Sequence, residues 1–125
     1  MKLQPDRTEG VNAVAAFSGT ECLIQGKLHR GSLIAPWRGD VQAWACRSVA
    51  ELRSEDMEAL AALAPELVIL GTGTKLKFPP SALLQPLMRR RIGFETMDSA
   101  AACRTFNVLV GEARSVVLAL MVDAD

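Results

Sequence analysis

The sequence carries no excess of either charge: 14 Lys and Arg balance 14 Asp and Glu. That absence removes the usual signature of nucleic-acid binding, a basic surplus gathered on one face. The single basic run, Arg89-Arg90-Arg91, falls where a helix is expected to end, and cations there complement the helix dipole. Histidine is nearly missing. His29 is the only one, no Cys-x-x-Cys pair accompanies it, and no carboxylate is placed by sequence to make it a base. A metal site or a serine–histidine–acid set is therefore not expected, and His29 reads as a strand-surface residue. Cysteine is sparse and odd in number: Cys22, Cys46 and Cys103 are far apart, which fits reduced, buried thiols in a cytoplasmic protein better than a disulfide framework. Long hydrophobic runs are absent as well. The longest, Ser115 to Val122, falls far short of the roughly 20 residues that cross a bilayer, so no direct membrane insertion is expected. Met1 to Gly10 is polar with both charge signs and does not read as a secretory leader.

What remains is enough for one core. Half of the 125 residues are apolar, with no repeat, linker or low-complexity tract, so residues 1–125 read as a single α/β domain with 1–10 as a flexible tail. The first half alternates. Val11, Ala13, Ala15 and Phe17 share one face of an extended segment, and Ser18-Gly19-Thr20 supplies a turn. Short strands follow at Cys22–Ile24, Lys27–His29, Ser32–Ala35 and Val41–Ala45, the last after an Arg38-Gly39-Asp40 turn. Together they predict an antiparallel meander ending near Cys46.

The second half changes period. Ser54 can cap a helix with Glu55 and Asp56 in its first turn, and Met57, Leu60, Ala61 and Ala64 form one buried stripe stopped by Pro65. Leu67-Val68-Ile69-Leu70 is a continuous apolar run, as in a strand covered on both faces. After Gly71-Thr72-Gly73-Thr74, Pro79-Pro80 opens a helix that Pro86 should kink or restart and Gly93 should end. Ile92 to Thr96 is a strand, and Asp98 caps a helix reaching Val110 with Gly111 as its left-handed end. Ser115 to Val122 is the last strand, completing a wound α/β pattern.

Ligands of open α/β sheets bind beyond the carboxyl ends of parallel strands. Two loops meet that description, Gly71 to Phe78 and Met97-Asp98. Gly71 and Gly73 allow close backbone approach, Thr72 and Thr74 offer hydroxyls, and Lys75 and Lys77 offer positive charge, so a small anion or carboxylate is the natural guest. The same residues also suit a plain strand-to-helix turn, since they form neither a Walker loop nor a dinucleotide fingerprint. Arg104 and Asn107 are neighbours on one helix face and can orient a carboxylate; equally, Arg104 can pair with Glu95 or Asp98. Cys103 sits in an alanine-rich helix and reads as buried. Trp37 and Trp44 flank a turn as core residues or as an exposed patch for a partner. No catalytic set can be built, and no cofactor is implied.

Several stretches carry a family likeness. Leu70-Gly71-Thr72-Gly73 with Phe78-Pro79-Pro80, the stretch Met97 to Leu109, Gly111-Glu112-Ala113-Arg114 leading into Val116 to Leu120, and Ser32 to Pro36 with Trp44 together resemble the family typified by mitochondrial respiratory complex I assembly factor 3. Ser99 stands where threonine is expected, keeping a hydroxyl, and His29 where an aromatic is expected. The resemblance implies a three-layer fold on a mixed central sheet, with the final strand antiparallel to its neighbours and the meander packed alongside. It implies no enzymatic activity. It implies protein partners, including subunits of a membrane-bound respiratory complex, and a cytoplasmic place peripheral to the inner membrane through such a partner.

Overall fold

The computed structural model describes residues 10–122, so all of the expected tail except Gly10 lies outside the described residues. Its centre is a five-stranded mixed sheet of order β5-β4-β8-β6-β7, made by β4 (Leu33–Pro36), β5 (Gln42–Ala43), β6 (Leu67–Thr72), β7 (Gly93–Met97) and β8 (Val116–Met121). Strands β6, β7 and β8 are parallel, while β4 runs antiparallel to β8. The last strand is thus antiparallel to one neighbour and parallel to the other, where the resemblance implies antiparallel pairing throughout. Its six residues are all buried, which is why they form an unbroken apolar run.

Both faces of this sheet are covered, giving three layers. Helices α1 (Ser54–Ala62) and α2 (Gln85–Arg89) place Met57, Leu60, Ala61 and Leu87 against Val68, Leu70, Val117 and Ala119. On the other face, α3 (Ser99–Gly111) places Ala102, Phe106 and Val110 against Ile69, Leu118 and Leu120. Beside α3 lies a small antiparallel sheet of β1 (Val14–Phe17), β2 (Glu21–Ile24) and β3 (Lys27–Arg30). Among the described residues, no helix is long and apolar enough to cross a membrane.

The meander is shorter than the sequence suggests. It stops at β3, and β4 and β5 leave it for the central sheet. Leu33, Ile34 and Ala35 are buried in succession because β4 is covered on both faces, so their run resembles Leu67–Leu70 rather than an alternating strand. The register of β1 with β2 shifts between Val14 and Ala16, a bulge at which Val14 is buried and Ala15 is exposed instead of inward.

Helix ends also differ from expectation. Ser54 is already helical; Arg53 is the cap, and the Asp56 carboxylate accepts from its backbone N–H at 2.9 Å. Ala64 turns left-handed and is exposed rather than completing the buried stripe. Pro80 leads into a 3-10 turn over Ser81–Leu84, and Pro86 sits in the first turn of the α-helical restart. Left-handed Arg91 ends that segment and Gly93 opens β7; Ala113, not Gly111, is the left-handed residue after α3. Asp98 caps α3 as expected, its carboxylate accepting from the Ala101 N–H at 2.9 Å.

Candidate functional site

The carboxyl ends of β6, β7 and β8 meet around Gly71: its register partners are Met97 and Leu120, and Thr72 pairs with Met121. A side chain on Gly71 would meet the Ala102 Cβ, the Leu120 Cδ1 and the Ser99 Cα, each at 3.0 Å, so glycine is what lets α3 approach the sheet. Gly73 answers a different need. Its φ of 92° lets the chain turn out of the strand.

The hydroxyls here are engaged. Thr72, 3% exposed, donates through Oγ1 to the Lys75 carbonyl at 2.6 Å and accepts from the Lys77 N–H at 3.1 Å. Ser99, 2% exposed, donates to the Met121 carbonyl at 2.6 Å and accepts from the Gly73 N–H at 2.8 Å. The Ser99 N–H returns to the Gly73 carbonyl at 2.8 Å. Three strand ends and one helix start are thereby tied together by two side chains.

Above this knot runs a groove in two parts. The first, about 320 Å³, is lined by Phe17, Ser18 and Gly19 on one side and by Gly73, Thr74, Asp98, Ser99 and Ala100 on the other. The second, about 230 Å³, shares Phe17 and Ala100 and adds Arg104, Asn107 and Cys103. Of the expected residues, Gly73, Thr74 and Asp98 line the first part and Arg104 and Asn107 the second. Gly71 and Thr72 lie beneath the surface. Asn107 does not face a ligand: its Oδ1 accepts from the Val14 N–H at 2.7 Å and its Nδ2 donates to the Val14 carbonyl at 2.8 Å, stapling β1 to α3 at the bulge. Arg104 pairs with neither Glu95 nor Asp98, and its exposed guanidinium has no ion-pair partner among the described residues.

Reactive chemistry is not prepared. The neighbouring Cys22 thiol and burial push the Cys103 thiol far above the ordinary thiol range, so it is a protonated core residue at neutral pH. Burial, with Asp56 nearby, pushes Cys46 up to about 11. His29 lies on the small sheet, paired in register with Cys22, and its pKa is lowered by partial burial and by Lys27. Among the described residues, no group of His, Cys, Asp and Glu converges in a way that could hold a metal ion.

The two tryptophans differ in exposure. Trp44 is 9% exposed in the core with its Nε1 donating to Asp56 at 3.2 Å. Trp37 is half-buried and has the Arg38 guanidinium 4.8 Å above its ring. The large exposed apolar residues lie elsewhere, and Phe78 is the most exposed of them. Sequence reasoning also missed the Phe17-Ser18-Gly19 wall and the buried Asn12. The Asn12 side chain donates to the carbonyls of Pro36 and Gly39, each at 2.8 Å, and accepts from Gln25 at 2.6 Å. The one available signal for Phe78 was an apolar pair, Leu76 and Phe78, outside any periodic element.

The profile of a family described as a protein of unknown function (DUF498/DUF598) matches residues 14–121. The chain is 35% identical over 83 residues to NADH dehydrogenase [ubiquinone] 1 alpha subcomplex assembly factor 3 of Rattus norvegicus, covering 65% of this chain and 45% of that protein. It spans about half the length of the first curated relatives it matches. The crystal structure of a Bordetella parapertussis protein superposes with a TM-score of 0.85 at 30% identity, covering 91% of this chain and 98% of that one. A Bordetella pertussis protein described as a Mth938-like domain gives 0.83 at 26% identity, covering 100% and 94%.

Proposed function

We propose, because the chain belongs to the DUF498/DUF598 family, that this protein is a non-enzymatic interaction module of the assembly-factor kind. It works through protein partners, among them subunits of a membrane-bound respiratory complex, from the cytoplasm and at the inner membrane only through such a partner. One observation carries this reading. At the sheet edge where an α/β fold would take a ligand, the Thr72 and Ser99 hydroxyls, the Asp98 carboxylate and the Asn107 carboxamide all serve the fold. The assembly-factor name of several relatives supports the same direction. Affinity purification from the native host at near-native expression tests it: partially assembled respiratory subunits should accompany the chain, and recovery of no protein partner would count against the module.

A second reading has one observation in its favour, the Arg104 guanidinium on the groove rim, which has no ion-pair partner among the described residues. Here the groove whose rim carries Gly73, Thr74, Asp98 and Arg104 binds a small anion or carboxylate, with Gly71, Thr72 and Asn107 only shaping it from beneath. A ligand at about 100 times its dissociation constant adds about 2.7 kcal/mol of stability, so a thermal-shift screen of phosphates, nucleotides and small acids detects it. A flat screen, with Arg104→Ala leaving function in the host intact, ends this reading.

A further inference from the structure

Between the glycine turn and Pro79-Pro80 runs the segment Lys75-Leu76-Lys77-Phe78, in which all four residues are exposed, Leu76 at 50% and Phe78 at 73%. It belongs to no helix or strand, yet it is held. The buried Thr72 hydroxyl grips the Lys75 carbonyl and the Lys77 N–H, and Pro79 restricts Phe78 to extended conformations. Exposed apolar side chains on a tethered backbone are partly preorganised for docking, because some of the backbone ordering entropy is already lost.

Three features describe the partner. The ammonium groups of Lys75 and Lys77 form no ion pair among the described residues, so the complementary surface is acidic. Phe78 calls for an apolar slot of the kind that aromatic hot spots fill. The peptide N–H groups of Leu76 and Phe78 make no hydrogen bond among the described residues, so they are free to pair with a strand edge. The last feature separates a protein from a lipid surface. Peptide groups without partners are not carried into hydrocarbon, whereas a strand edge satisfies them.

We propose that Lys75–Phe78 is the hot spot of the partner interface, adding to the exposed strand edge of a protein whose rim is acidic and which has a slot for Phe78. This rests on the interaction-module reading above. Two apolar side chains are too little for a whole interface of about 800 Å² per partner, so the segment anchors a wider contact.

The test places a photo-crosslinking amino acid, one at a time, at Leu76, Phe78, Met88 and Val108 in the full chain, expressed in its native host. Met88 and Val108 are exposed controls on other surfaces. The proposal expects one discrete protein adduct at Leu76 and Phe78, reduced about tenfold or more by Lys75→Glu with Lys77→Glu. Purified chain should not sediment with phosphatidylglycerol vesicles. Adducts at Met88 or Val108 but not at Leu76 and Phe78 would overturn the assignment of the surface and leave the module reading standing. No adduct at any position would overturn both. Vesicle binding that Phe78→Ser abolishes would make the segment a membrane anchor and overturn the proposal. Wild-type thermal midpoints for the charge-reversed chain exclude unfolding as the cause of lost adducts.

Discussion

Two adjacent stretches at one sheet edge divide the work between them. Gly71 to Gly73 is buried, its hydrogen-bonding groups engaged by the fold, and the rest of the loop to Phe78 is exposed, with the lysine ammonium groups and the Leu76 and Phe78 N–H groups making no ion pair or hydrogen bond among the described residues. The glycine turn looks functional because it holds residue types that cradle ligands elsewhere. Its chemistry instead goes into holding α3 against the sheet. The exposed stretch looks like an ordinary loop, and it is the part that a partner can reach. The difference teaches that a residue's type marks a site only when its polar atoms are left over after folding.

Substitutions can break this contrast, and the buried stretch should give the largest stability effects. Ser99→Ala leaves the Gly73 N–H and the Met121 carbonyl unpaired in the interior, and should cost about 3 kcal/mol in urea unfolding. Gly71→Ala places a methyl 3.0 Å from the Ser99 Cα and two side-chain atoms, forcing α3 outward at about 2 kcal/mol by the same measurement. Asn107→Ala removes the staple to Val14 and should cost about 1.5 kcal/mol, with faster amide exchange confined to β1 and its neighbours. Phe78→Ser, in contrast, should move stability by no more than about 0.5 kcal/mol while removing partner binding. Equal stability losses at Ser99 and Phe78 would erase the distinction between the two stretches.

Much of the fold is legible from local pattern. The i, i+3, i+4 stripe of α1, the Asp98 cap and the two continuous apolar runs locate four elements, because period and capping are local properties. The sheet assignment of β4 is not legible in the same way. Leu33 pairs with Leu120 across most of the chain, whereas proximity in sequence points to the meander. The bulge in β1 likewise depends on Asn107, 93 residues from its partner Val14. At the site, positions were readable and roles were not. The role of the Ser99 hydroxyl in closing the knot is not legible locally, because its acceptor on Met121 lies on a strand that comes 22 residues later. Whether a hydroxyl is free is decided by what folds against it.

The central claim is that this edge acts through Lys75–Phe78 and not through ligand chemistry at the glycine turn. The most direct measurement is the amount of assembled respiratory complex in the native host when the chromosomal copy is replaced by either of two folded variants. The account predicts that Lys75→Glu with Phe78→Ser lowers it as far as deletion does, while Arg104→Ala leaves it at the wild-type level. Full assembly with the loop variant and loss with Arg104→Ala would contradict it.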